Sequence, residues 1–413
     1  MGYDKLVDST KLDGALTATA DAIREKTGDA TPIDWDAVEG FASAITAIPV
    51  GALSDVPMKD VNFYDCDGTR LYSYTLEEAQ ALTELPPLPT RDGLICQGWN
   101  YDLVAIKDYK NAVDVGAMYI TDDGKTRLYI RLVGRLSVPL YFSQTVANGV
   151  TIDWGDGTAA QTLDGTGNKN TTHTYAENGD YVISLEVAEG CTLSLGKKSI
   201  SDNVFGSTNS DTPIYSGILQ RVEFGSGVTS IEVGTFRSLS SLCQVVIPNG
   251  VTSIRQTAFL NCYSLAFVVL PSSVNTFTQS SAFTKCHSLS RVVLPAGMTT
   301  LGEITFNECC SLFDVIVPNG VTETENSTFA LCYSLARVVF PSSLAKVKYN
   351  TFLRNYALAV LDFRSATAVP VLESYDAFAD AQSDLKILVP AALYDEWKSA
   401  SNWSNFASKI VAV

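Results

Sequence analysis

The chain has 413 residues, of which 46% are hydrophobic and 18% charged, so it carries enough apolar material for three or more folded domains and is not a disordered polymer. With 29 Lys and Arg against 45 Asp and Glu, its net charge of −16 argues against a surface that tracks nucleic-acid phosphates. Met1 to Asp8 lack the basic-then-apolar pattern of a leader, no run of roughly 18 apolar residues follows, and Leu6 stands where a myristoylation signal needs Ser or Thr, so neither export nor membrane insertion is expected.

Residues 9–48 read as a helical hairpin. Leu12, Leu16, Ala20 and Ile23 recur at helical spacing and Gly28 stands at the C-terminal cap; after Asp34 a second stripe runs through Trp35, Val38, Phe41, Ile45 and Ile48, and Pro49 and Gly51 end it. Two short amphipathic helices bury too little surface alone. Leu12, Leu16, Ile23, Trp35, Phe41 and Ile45 are therefore expected to attach the chain to copies of itself or to another protein. The stretch from Leu12 to Gly28 is similar to the opening of virion and tail proteins of phages and prophages of Firmicutes-type bacteria, through Ala20, Ala22, Ile23, Arg24, Lys26, Thr27 and Gly28, with Ile45 and Ile48 in the second helix. That resemblance spans some 40 residues and implies a particle-attachment segment.

Residues 51–120 are expected to form a small spacer. Val61 to Tyr74 reads as a hairpin turning at Asp67-Gly68, Thr75 and Glu78 as the capping box of a short helix, and Gly93 to Trp99 as a further strand. With Arg91-Asp-Gly and Gly98-Trp-Asn, the pattern resembles the β-grasp-like repeats of bacterial surface proteins. Over residues 121–200, Val150-Thr-Ile-Asp-Trp-Gly-Asp-Gly-Thr158 and Thr172-His-Thr-Tyr175 resemble a PKD-like β-sandwich, which implies a core of Trp154 and Tyr175 and a tight turn at Asp156-Gly157. Asp153 and Asp156 could reach a calcium ion, but turn aspartates commonly bond their own backbone, and no metal is assigned.

A period of 23 residues, once 24, then governs the chain through Leu219, Leu242, Leu265, Leu289, Leu312, Leu335 and Leu358. Phenylalanines keep the same phase from Phe236 to Phe352, and prolines from Pro248 to Pro341. Such a period means a solenoid in which each unit adds one short strand, ended by proline because it cannot donate to a central ladder. Ser241 to Cys262 resembles the BspA-type leucine-rich repeat nearly position for position, with the array assigned to residues 201–384. Residues 385–413, with Trp397, Trp403 and Phe406 and a helix from Ala391, are expected to cap its last apolar face. The fold class is thus multidomain and mainly β: helical hairpin over 1–50, β-grasp-like module, PKD-like β-sandwich, leucine-rich-repeat solenoid and C-terminal cap.

Cys262, Cys286, Cys309 and Cys332 hold one repeat position and read as buried structural thiols rather than a metal site, since a ladder of equivalent positions does not converge on a tetrahedron. His173 belongs to the sandwich pattern, and His287 fills a position taken by Tyr263, Cys310, Tyr333 and Tyr356 in other units. No nucleotide-binding, metalloprotease or nucleophile motif is present, so no catalytic residue and no cofactor is expected. Between the inward positions of each strand runs an outward row, Val246, Val269, Val293, Ile316 and Val339, next to a mixed row with Phe267, Arg291 and Arg337. A contiguous apolar stripe is a candidate interface, although valine is also a plain strand former.

These readings converge on a bacteriophage or prophage virion protein, a tail fibre or receptor-binding protein, with a secreted bacterial adhesin or a head spike or decoration protein as alternatives. Its expected partners are other virion proteins through the N-terminal helices, a bacterial surface protein or glycan, and sister subunits in a homotrimer.

Overall fold

The computed structural model describes residues 59–413 apart from 111, 208–214, 279–280 and 379. The hairpin expected over residues 9–48, with Leu12, Leu16, Ile23, Trp35, Phe41 and Ile45, lies outside the described residues.

The first module builds on a mixed sheet of order β2-β1-β4-β3. β1 (Val61–Tyr64) and β2 (Arg70–Tyr74) pair antiparallel across the expected turn, where Asp67 accepts from the Thr69 amide and Gly68 takes a left-handed φ of 89°. Thr75 and Glu78 form the expected reciprocal capping box on α1 (Leu76–Ala81). β3 (Leu94–Trp99) and α2 (Leu103–Asp108), capped by Asp102, lead into β4 (Val113–Thr121), which lies parallel to β1 and antiparallel to β3. Seen in sequence, β4 alternates two sets of side chains. Val113, Val115, Ala117 and Tyr119 join Phe63, Trp99 and Ile106 in the module's own core, which leaves Asp114, Gly116 and Met118 for the opposite face.

The second module is a pair of facing antiparallel sheets. β5 (Thr126–Leu132), β10 (Gly179–Val187), β7 (Val150–Asp153) and β8 (Gln161–Thr162) form one; β11 (Leu193–Leu195), β6 (Ser137–Gln144) and β9 (Gly167–Thr174) form the other. Alternation puts Leu128, Ile130, Val138, Leu140, Phe142, Ile183 and Leu185 between them. At one end Trp154 is buried, its carbonyl accepts from Tyr175 Oη at 2.9 Å, and the His173 ring stacks on it at 4.8 Å.

This sandwich is continuous with the solenoid. β5 pairs antiparallel with the first rung strand, Leu219–Glu223, and the same sheet runs on in parallel through Gln244–Val246, Phe267–Val269 and Arg291–Val293. A second parallel sheet takes up Asp314–Ile316, Arg337–Val339, Val360–Asp362, Lys386–Val389 and Ile410–Ala412. Pairing with β5 satisfies the edge that a terminal rung would otherwise leave open.

Behind the strands, Phe236, Phe259, Phe283, Phe306, Phe329, Phe352 and Phe378 stack in one column, with neighbouring centroids 5.0–5.8 Å apart. Trp403 continues that column against Phe378 at 5.6 Å and donates Nε1 to the Pro370 carbonyl at 2.7 Å. The C-terminal segment, with the short helix Tyr394–Ser399 (α3), buries Trp397 and Trp403 completely, as a closing element requires.

Candidate binding surface

Strand register brings the two outward rows into line as the repeat spacing implies: Phe267 pairs with Arg291, Val269 with Val293, Asp314 with Arg337 and Ile316 with Val339. Their surroundings overturn the expectation of a free interface. Val246, Val269, Val293, Val339 and Phe267 are all buried, and Ile316, Arg291 and Arg337 are half-buried. What covers the centre of this surface is the first module of the same chain. Val246 joins that module's core, and Tyr64 packs with Phe267, Val269 and Val293. Gly116 explains how closely β4 can approach: a Cβ there would lie 2.4 Å from Val269 Cγ1. Residues 59–121 therefore lie on the solenoid's flank rather than extending away from it.

The seam is polar as well as apolar. Asn100 donates to the Leu270 carbonyl at 3.0 Å, Gln97 accepts from the Asn249 amide at 2.7 Å, and Tyr109 Oη accepts from the Asn319 amide at 3.0 Å. Arg291 pairs with Asp114 of β4 and stands 3.5 Å from Asp314, with its guanidinium 5.2 Å from the Tyr64 ring centre. Arg337 sits 4.0 Å from Asp314 and 3.4 Å from Asp362, which Arg364 also holds at 2.7 Å. The result is a chain of alternating charge across successive rungs. Asp314 is 1% exposed; burial pushes its carboxyl up from the ordinary value, and Arg291 and Arg337 pull against that rise.

A different edge of the solenoid faces water. Just after each buried cysteine position comes Tyr263, His287, Cys310, Tyr333 or Tyr356, and the backbone links these coils in order: Ser288 N donates to Tyr263 O, Ser311 N to His287 O, and Ser334 N to Cys310 O. Tyr263 stacks on His287 at 4.8 Å and Tyr333 on Tyr356 at 5.8 Å. The three tyrosines are exposed, as are Ser264, Ser288, Ser311 and Ser334, which follow in the chain and form a parallel row of hydroxyls. Sequence reasoning met this position only as an explanation of His287; its signal was an aromatic ring between the Cys and Ser of three units, at Tyr263, His287 and Tyr333.

Residues 198–281 and 278–382 match the BspA type leucine rich repeat region, in six copies. The array is a BspA-type leucine-rich repeat. Among solved structures, a leucine rich repeat protein of T. pallidum is 24% identical over 46% of this chain and 92% of its own, with a TM-score of 0.34. One from Eubacterium ventriosum ATCC 27560 is 21% identical over 47% of this chain and 49% of its own, at 0.36, and one from Bacteroides ovatus ATCC 8483 is 21% identical over 41% and 55%, at 0.29. This chain thus spans about half the length of the latter two. No curated protein matches the chain.

Within the BspA-type array the cysteine position has a donor role. The thiols of Cys262, Cys286, Cys309 and Cys332 donate to the carbonyls of Phe236, Phe259, Phe283 and Phe306 at 3.1–3.3 Å, each reaching the preceding coil. Burial pushes all four well above the ordinary thiol range. Because the thiolate is the reactive form, native protein treated with N-ethylmaleimide near neutral pH should react at exposed Cys243 while these four stay unmodified until denaturant is added, as peptide mass spectrometry would show. Labelling of the four at the Cys243 rate would refute the closed ladder. In the sandwich, His173 Nε2 meets Asp156 Oδ2 at 2.7 Å, and Asp153 and Asp156 accept from the Gly155 and Thr158 amides, so these groups serve the turn.

Proposed function

We propose that this protein is a non-enzymatic adhesion protein of a bacteriophage or prophage-derived particle, a tail fibre or receptor-binding protein that contacts a bacterial surface through its repeat array. The contact is carried by the exposed aromatic and serine edge of the array, because the outward valine row is occupied by the chain's own first module. Attachment to the particle is assigned to Leu12, Leu16, Ile23, Trp35, Phe41 and Ile45, on the likeness of Leu12 to Gly28 to phage and prophage tail proteins. The β-grasp-like and PKD-like modules act here as a brace and an end closure for the array, which keeps the binding edge straight. A second reading, a bacterial surface adhesin, is favoured by the match of the array to the BspA type repeat region.

Antibody raised against the full chain and used for gold labelling separates the two. Label on particles released after prophage induction, with purified protein adhering to isolated envelope, supports the virion reading. Label confined to the surface of uninduced cells would replace it with the adhesin.

A further inference from the structure

Between Tyr263 and Tyr356 the aromatic ladder on the exposed edge has one member missing. Backbone bonds from Ser311 to His287 and from Ser334 to Cys310 place Cys310 in the rung between His287 and Tyr333. On either side of that rung the ladder is a stacked pair, Tyr263 with His287 and Tyr333 with Tyr356. The inner faces of His287 and Tyr333 therefore look at each other across two rung spacings, roughly 10 Å, above a half-buried thiol.

The same rung differs at a second position. Where the units of Tyr263, His287, Tyr333 and Tyr356 have Ala266, Ser290, Ala336 and Ala359, this one has Phe313, which is 44% exposed and takes part in none of the ring contacts of the stacks. Between Tyr263 and Tyr356, the coil that lacks a ring in the ladder thus presents a ring beside it. Ser288, Ser311 and Ser334 line the rim with exposed hydroxyls that make no hydrogen bond among the described residues, although their backbone amides do.

We propose that this gap is a binding slot for one hexopyranose ring of a surface glycan, clamped between His287 and Tyr333, flanked by Phe313 and hydrogen-bonded by the serine rim. The proposal deepens the adhesion reading and rests on it for the source of the glycan. Polarity selects the ligand class, since the slot has aromatic walls above and below and exposed hydroxyls at its rim. A ring at the vacant rung sits about 5 Å from each wall. The axial C–H bonds of a saturated chair project into that space and meet the negative faces of the walls, while its equatorial hydroxyls point outward toward the serines.

The test uses the full chain with three probes: methyl β-D-glucopyranoside, methyl α-L-rhamnopyranoside and methyl N-acetyl-β-D-glucosaminide, read by saturation-transfer NMR at millimolar concentration. Ring protons of at least one glycoside should receive saturation. Cys310→Tyr supplies the missing ring and should weaken that binding about tenfold while raising the melting temperature, which separates filling the slot from unfolding it. Cys310→Ser keeps the slot and should bind as the wild type does. Silence from all three glycosides, binding that survives Cys310→Tyr, or slot-dependent binding of N-acetyl-tryptophanamide in their place would each overturn the proposal. Envelope adhesion undiminished in Cys310→Tyr would overturn the slot and leave the adhesion reading standing. Glycoside binding by a protein that does not adhere to envelope would uphold the slot and remove that reading.

Discussion

An Arg291→Met variant should lose about 3–5 kcal/mol of stability at neutral pH, measured by denaturant unfolding. Arg291 is the cation that β4 and the array share: it pairs with Asp114 on one side and faces Asp314 on the other. Asp114 is 6% and Asp314 1% exposed, so removing the guanidinium leaves two carboxylates in a site closed to water. Breaking a buried pair from one side costs more than the pair itself contributes, because the remaining charge keeps its desolvation penalty. Asp314 also fixes the sign of the pH dependence. Its folded value is already raised, chiefly by burial, so its charged form is disfavoured in the fold; that penalty applies above the folded value and is relieved as pH falls through it. Without Arg291 the rise is larger, and the gap between variant and wild type should narrow as pH is lowered from neutral toward the carboxylate range. Adding Asp114→Asn to the variant should recover part of the loss at neutral pH. A loss under about 1 kcal/mol, typical of solvated pairs, or a gap indifferent to pH, would mean that water reaches the seam.

Much of this architecture was legible in the chain. The leucine, proline and phenylalanine spacing predicted one rung per unit, and the rows it implied, such as Val269 beside Val293, are those of the observed register. Thr75 and Glu78 announced their cap. What could not be read was which surface stays open. Val113 to Thr121 is buried along nearly its whole length, and nothing local distinguishes a strand packed on its own helices from one also packed on residues 150 positions later. Asp114 reads as a surface acid, and Gly116 as a weak spot in a strand, until Arg291 and Val269 are set against them. The pairing of β5 with Leu219–Glu223 joins segments some 90 residues apart, and pairing at that range leaves no signal in either. Tight turns were hidden for another reason. Lys285, Glu308, Leu331 and Arg354 hold left-handed φ values of 58–62° at one repeat position without a glycine to mark it.

The two ends of the solenoid differ in construction, and Trp403→Ala against Phe283→Ala makes the difference measurable. Each removes a fully buried ring and should cost about 3–5 kcal/mol, but their structural reach should diverge. Phe283 stacks between Phe259 and Phe306 at 5.0 and 5.7 Å, in the stretch of array whose strands the first module covers, so a cavity there weakens the rungs and the seam together. Trp403 lies at the far end, touching Phe378, Phe363 and Trp397 at 5.4–5.6 Å, and among the described residues no sandwich strand pairs there as β5 pairs with Leu219–Glu223. In a stack where each unit contacts only its neighbours, a defect at an unbraced end opens that end first. Hydrogen exchange on Trp403→Ala should therefore show protection lost in Ile410–Ala412, Lys386–Val389 and Val360–Asp362 while Leu219–Glu223 and β5 keep theirs. For Phe283→Ala the loss should extend from the central rungs into β4. Equal loss across all rungs in Trp403→Ala would show that array and sandwich unfold as one cooperative unit, with the continuous core from Leu128 to Ile410 outweighing the one-dimensional stack.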